Sequence, residues 1–181
     1  MERLDDVVLR NIIKFLHPED VVRLGRTSRH MHAMMPQVIL TTELWKGPDF
    51  HIFGPGGGHW VPELYFDGPI LRSIVKELQV SVVWKDQGWG NRKGEIYMML
   101  MRPAADEEGE PVKIAKYQRL VGIAEHFEKE AQNVIRADHP VVAKAKAGDF
   151  YRFMRNAGGG GGHELEGKNF RVKATVYAIV H

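Results

Sequence analysis

The residues best suited to chemistry in this sequence sit in three glycine-rich stretches. Asn156–Glu166 reads NAGGGGGHELE, with Gly160 inside a run of five glycines and His163 directly after it. Gly54–Trp60 reads GPGGGHW and repeats the glycine–histidine theme at His59, while Lys85–Gly94 reads KDQGWGNRKG and carries Asp86, Trp89 and Asn91. An aromatic ring flanked by a carboxylate and amides suits a sugar or a peptide backbone: the ring stacks on an apolar face and the polar groups hold hydroxyls or amides. The same residues also have a structural use, in which Asp86 and Asn91 tie down a hairpin and Trp89 covers the core edge.

Other chemistries fail on spacing or on missing residue types. A phosphate loop needs Lys-Ser/Thr after its glycines and a following helix, whereas His163-Glu164 follow here and the next segment alternates like a strand. A dinucleotide fingerprint is met trivially inside a glycine run and carries no information. His30-Met31-His32 is the one HxH, a spacing that on a helix points the two rings to nearly opposite sides, and HExxH is absent, so no metal site is expected. There is no Gly-x-Ser-x-Gly elbow and no cysteine, and Glu107-Glu108 belong to a charged, turn-rich stretch. The reading is a binding protein with no cofactor, not an enzyme.

The elements that must position these loops are legible from periodicity. Phe170, Val172, Ala174, Val176, Ala178 and Val180 take every second position with Arg171, Lys173, Thr175 and Tyr177 between them, which predicts a half-buried strand. Gln79–Trp84, Glu95–Arg102 and Asp149–Arg155 are further strand candidates, and EIYMMLMR is apolar on both alternating sets, as for a strand covered on two sides. Residues 125–135 read equally as a short helix or an irregular crossing. Strands joined by turn-rich loops without alternating helices predict an antiparallel sandwich or jelly roll, with the five glycines at one of its ends.

Upstream the period changes. From Leu4 to about Met35 apolar residues recur at helical spacing, with Leu4, Val8, Ile12 and Phe15 on one stripe and Leu9, Ile13 and Leu16 on another. Pro18 suits the first turn of a second helix with Val21, Val22 and Leu24 on its apolar face, and Thr27 or Ser28 caps a third. About 32 residues in three short helices cannot bury two apolar stripes unaided, so this unit needs a covering surface, either the rest of the chain or a partner.

Composition sets outer limits. At 181 residues the chain holds one ordinary domain plus a small module, and 44% hydrophobic with 27% charged residues is the balance of a soluble globular protein. The formal charge of +2 gives no field for a nucleic-acid backbone, no run is long enough to span a membrane, and MERLDDVVLRNIIKFL does not read as a signal peptide. An intracellular protein without nucleic-acid or membrane partners is expected.

The segment LDDVVLRNIIKFLHPEDVVRLGRTSRHMHAMM, together with Glu43-Leu44-Trp45, resembles an F-box over residues 1–46. The matching features are Leu4, the pairs Ile12-Ile13 and Phe15-Leu16, Pro18 and Asp20, Val22 and Leu24, Thr27-Ser28-Arg29, and Leu44-Trp45; Asp5 stands where the family usually has proline. The resemblance implies docking onto the adaptor subunit of an SCF-type, cullin-RING ubiquitin ligase through Leu4, Leu9, Ile13, Leu16, Pro18, Val21, Val22 and Leu24. Residues 47–181 resemble a β-sandwich module found beside F-boxes, which by the family's logic recruits a protein or glycoprotein substrate. The expected fold is therefore α+β, a short three-helix F-box followed by a jelly-roll-like antiparallel sandwich. A carbohydrate-binding module with an accessory helical layer is the alternative.

Overall fold

The computed structural model describes residues 4–13, 15–16, 18–56, 62–106 and 109–180. The protein is mostly antiparallel β-sheet with few helices: α1 (Leu4–Ile13), α2 (Pro18–Gly25), α3 (Arg29–Met34), β1 (Gln37–Lys46), β2 (Phe50–Phe53), β3 (Glu63–Asp67), β4 (Val75–Asp86), β5 (Glu95–Arg102), β6 (Val112–Tyr117), β7 (Lys129–Arg136), α4 (Pro140–Ala143), β8 (Phe150–Asn156) and β9 (Glu164–Val180). One sheet has the order β1-β9-β4-β7 with β2 also on β9, and the other the order β3-β8-β5-β6. The chain switches repeatedly between the two four-strand paths, an arrangement of jelly-roll type.

The alternation that predicted the last strand operates in three dimensions. Phe170, Val172, Ala174 and Val176 of β9 turn inward beside Leu78, Val80, Val82 and Trp84 of β4, and meet Ile96, Met98, Leu100, Tyr151 and Phe153 of the opposite sheet. Phe153 stacks on Phe66 with centroids 4.7 Å apart, and Phe170 meets both edge-on at 5.3 and 5.6 Å. Phe153 and Phe170, which are fully buried, each contribute about 1.5–3 kcal/mol by area. Tyr151 sends its hydroxyl to the Val141 carbonyl at 2.9 Å, and burial, reinforced by the Asp149 charge, raises its pKa.

EIYMMLMR is interior to its sheet, between β8 and β6, as the two-sided pattern predicted. Among the described residues no further sheet lies over its outer side, where Tyr97 and Met101 are nevertheless buried. Tyr97 is covered by Lys116, whose Nζ lies 3.9 Å from the ring centroid. A lysine stem shields apolar surface while its charge stays wet. Residues 129–136, part of the segment left between helix and crossing, form β7. Its inward Asn133 hid the alternation, and this side chain donates to the Tyr117 hydroxyl and the Leu120 carbonyl at 3.0 and 2.7 Å.

The helical stretch runs as far as its spacing predicts, while the F-box-like unit expected over residues 1–46 is not helical throughout. The last of its helices ends at Met34, and Gln37–Lys46 is a strand in unbroken ten-residue register with β9, from Gln37↔Val180 to Lys46↔Arg171. Pro36 stops the helix, and the β-branched residues Val38, Ile39, Thr41 and Thr42 favour the pleat. Trp45, expected to close the helical module, is a core residue of the sandwich, with its ring 5.8 Å from Tyr151.

Close approach fixes Gly167. A Cβ there would fall 2.4 Å from the Phe50 ring, in the strand pair Phe50↔Gly167. Gly167→Ala should lower unfolding free energy by about 1–3 kcal/mol, read as a shifted midpoint at unchanged slope in chemical denaturation.

Candidate functional site

Two surfaces answer to the sequence expectations, one at each end of the sandwich. β9 runs between them, from the glycine-rich loops at Glu164 to the helices near Tyr177, a length of roughly 43 Å for an extended strand.

At the loop end the β8–β9 connection and the β4–β5 connection meet. Gly160, Gly161 and Gly162 have φ of 109°, 76° and 72°, a left-handed path that glycine adopts without strain. The Trp89 ring lies against Gly162, where a Cβ would sit 3.1 Å from Cζ2 and Cη2. Trp89 is nevertheless 64% exposed, so it is a supported ring on the surface, not a lid on the core. Lys93 Nζ donates to the Gly159 carbonyl at 3.0 Å, and the Gly160 N–H donates to Pro55 at 3.2 Å, which draws in the third glycine-rich stretch. The Gly54 N–H bonds the His163 carbonyl at 2.7 Å, and a Cβ on Gly54 would meet the Gly158 carbonyl oxygen at 2.3 Å.

The expected ligand groups divide. Trp89, Asn91, Gly160 and His163 are brought to this end, with Asn91 and Gly160 exposed and His163 half-buried. His59 lies outside the described residues. Asp86 is corrected: it is only 4% exposed and faces inward, where its Oδ1 accepts the Gly88 N–H at 3.0 Å and pairs with His126 Nδ1 at 2.7 Å. Its role is the hairpin tie that turn chemistry allows an aspartate. Gln87, which the sequence offered only as one of the amides beside Trp89, has a role that sequence reasoning missed. Its amide donates to the Trp89 and Asn91 carbonyls at 2.7 and 3.1 Å and accepts from the Glu164 N–H at 3.4 Å, joining the two loops. The only signal for it was its place beside Asp86 in KDQGWGN.

Charge around the loops is locally paired. His51 Nε2 meets Glu164 Oε2 at 3.1 Å, and Arg92 pairs with Glu125. Hydrogen bonds from Lys168 at 2.7 Å and Lys85 at 3.1 Å hold the Glu166 carboxyl below the usual carboxylate range. That support is present above the ordinary carboxylate pKa and is lost as pH falls through the lowered value. Three buried polar atoms here, Asp86 Oδ2, Asn156 Nδ2 and His163 Nδ1, have no hydrogen-bond partner among the described residues. Unpaired buried groups are costly, and their concentration at this end separates it from the well-satisfied core. Among the described residues no cluster of three or more His, Asp or Glu is placed to hold a metal.

At the helical end the exposed stripe is not the expected one. Ile13 and Val21 are 3% and 1% exposed and Pro18 is buried, so these three are covered within the chain and do not present a docking face. Leu9, Leu16 and Leu24 are half-buried, Val22 is exposed, and the Leu4 side chain lies outside the described set. The open apolar residues are Val7, Val8, Ile12 and Phe15, with Phe15 at 87%. Ser28 caps α3 by accepting the Met31 N–H at 3.1 Å, as the sequence predicted.

The fold and these surfaces define a jelly-roll-type sandwich that carries a short helical segment at its N-terminus and a loop cluster at the far end. Residues 1–41 match the family model described as the F-box domain, and the β-rich region after them fits a sandwich module. No curated protein matches the chain significantly in sequence. Among solved structures, the VP2 subviral particle of infectious bursal disease virus is similar with a TM-score of 0.50 and 8% identity, over 78% of this chain and 33% of that one. The chain thus spans about a third of the viral protein's length. The Eiger TNF structure from S. frugiperda gives 0.41 at 13% identity over 81% and 96% of the two chains, and a CBM4 structure gives 0.38 at 7% identity over 76% and 94%. At such identities the likeness concerns fold alone, and of these three the likeness to the VP2 structure is the one close enough in shape to bear on it.

Gln87→Ala should free the tip of the β4–β5 loop: amide exchange over residues 88–92 is expected to rise about tenfold, for the ~1.4 kcal/mol of the lost bonds, with exchange in β5 unchanged.

Proposed function

We propose that this protein is a substrate-recognition adaptor of an SCF-type, cullin-RING ubiquitin ligase. The observation that carries the reading is the match of residues 1–41 to the F-box domain. F-box domains dock on the ligase's adaptor subunit and through it on the cullin, and the helices α1 to α3 take that role here. The open stripe Val7, Val8, Ile12 and Phe15, with Val22 of α2, supports it, because an apolar surface left uncovered by the chain's own sheets is what a partner seals. Met35-Pro36 is all that separates α3 from β1, so little slack lies between docking unit and sandwich.

The loop end is the substrate-facing half, recruiting a protein or glycoprotein, and the work is done inside the cell without cofactor, nucleic acid or membrane. None of the described helices is long and apolar enough to cross a bilayer. Ubiquitin transfer needs no chemistry from this chain, only that it hold two partners at a set separation.

The adaptor reading is tested at the exposed stripe. Ile12→Asp with Phe15→Asp should abolish co-purification with the ligase adaptor subunit while the melting of the sandwich stays unchanged; undiminished capture refutes the reading. Ile13→Asp, in contrast, places a charge at a buried position and should lower the stability of the helical segment itself.

One observation favours a second reading, a carbohydrate-binding module. Trp89 is an exposed ring braced from behind by Gly162 and from its own loop by Gln87, the pre-organised platform on which a pyranose face stacks. On a glycan array residues outside the helices should then give a signal that Trp89→Ala removes; a blank array leaves a protein surface as the target.

A further inference from the structure

Sheet edges present unpaired N–H and C=O groups, and folded proteins guard them with charge, proline, bulges or brevity. Three of the long edges here are guarded. β3 carries Glu63 and Asp67, paired with Arg155 and Arg152, and a register break between Leu64 and Phe66. β6 carries Lys113 and Lys116 opposite a break at Leu100/Met101, and β7 is flanked by Lys129, Glu130 and Arg136. β2 is only four residues long.

β1 is guarded mainly at its two ends, by Pro36 and α2 before it and by Lys46 at its close, and its middle is more open. It pairs with β9 alone, over ten residues without a bulge, and its other edge has no strand beside it. From Val38 to Trp45 it reads VILTTELW, with no proline, glycine or lysine. Its one charge there, Glu43, accepts from Trp45 Nε1 at 3.2 Å, on the same side of the strand as the buried Trp45 ring. The side chains on the outer side of the sheet are Leu40, Thr42 and Leu44, across from Tyr177, Thr175 and Lys173 of β9. Leu40 and Leu44 are 45% and 50% exposed.

The spacing of those residues is self-complementary. Two antiparallel copies of β1 related by a two-fold axis through Thr42 place each Leu40 opposite the other copy's Leu44, with Thr42 facing Thr42. That register sets Glu43 against Thr41 and Lys46 against Val38, so no like charges meet. We propose that the protein forms a homodimer in which β1 pairs with β1 across Thr42, joining two five-stranded sheets into one continuous ten-stranded sheet. An isologous interface of this kind closes on itself and stops at two chains, which is how a long apolar edge is kept from open-ended association. The pairing does not depend on the ligase reading, because it uses the outer side of β1 and not the open stripe of α1.

The chain has no cysteine, so a single introduced thiol reports the geometry directly. In sedimentation velocity and light scattering the purified full chain should show twice its 20.6 kDa mass. Leu40→Lys with Leu44→Lys should return it to the monomer mass with an unchanged far-UV spectrum, both positions being exposed. Oxidised Thr42→Cys should run as a disulfide-linked dimer on a non-reducing gel, whereas Lys173→Cys, exposed one strand inward on the same side, should not. A wild-type chain that stays monomeric across the concentration series overturns the proposal. So does a dimer that survives the double lysine variant, or equal cross-linking at Thr42 and Lys173. A monomeric wild type that still captures the adaptor subunit is a failure of this pairing alone, and a dimeric wild type that captures none is a failure of the ligase reading alone.

Discussion

The structure depends on one strand. β9 is 17 residues long, pairs with β1, β2 and β4, and with β4 forms the interior of that sheet. Its inward set, Phe170 to Val176, supplies one wall of the core, and its two ends lie at the two functional surfaces. A ladder of that length works only if the flanking strands keep register, and the left-handed Asn169, at φ 54° with its N–H on Asp49 Oδ1 at 2.9 Å, marks where the partner changes from β1 to β2. Because β9 follows β1, β2 and β4 at a distance in sequence, nearly all of its pairings are long-range, and the β1 and β2 edge of that sheet cannot form before β9 is in place.

That constraint separates rigid from adjustable parts. Between the sheets the packing is aromatic and close, with Tyr65, Phe66, Phe153 and Phe170 in mutual contact, and a changed side chain there is felt at once. At the loop end the backbone turns through glycines, and order comes from a few side-chain bonds made by Gln87, Asp86, Lys93 and Asn156. Asn156 accepts the Gly158 N–H at 3.1 Å. Recognition loops on a stiff scaffold are the usual division of labour in sandwich proteins. Here the stiff scaffold also fixes how far the loops stand from the helices.

The helical segment shows how burial reassigns a pattern. Two apolar stripes were visible on α1, and amphipathicity alone offered no means of ranking them. In the fold the chain covers Ile13, with Val21 of α2, and leaves Val8, Ile12 and Phe15 open. A docking face is whatever the chain's own packing does not cover, so it is a property of tertiary contacts and not of helical period.

What the sequence determined by itself is what depends on neighbours along the chain. The period-two alternation of residues 170–180, the two-sided apolar run EIYMMLMR, the Ser28 cap and the Pro18 start all follow from local sterics and side-chain direction. The F-box resemblance was likewise carried by named residues close together in the chain. Tertiary structure alone decided that Gln37–Lys46 joins the sheet, since its apolar residues fit a helix or a strand until β9 offers a partner. It decided that Asp86 turns inward while Trp89 stays out, and that Gln87 couples the loops. It also decided which stripe of α1 is free. The reason is common to all four: each is settled by a contact with a residue tens of positions away, and no local pattern encodes the free energy of a surface that the chain has yet to bring near.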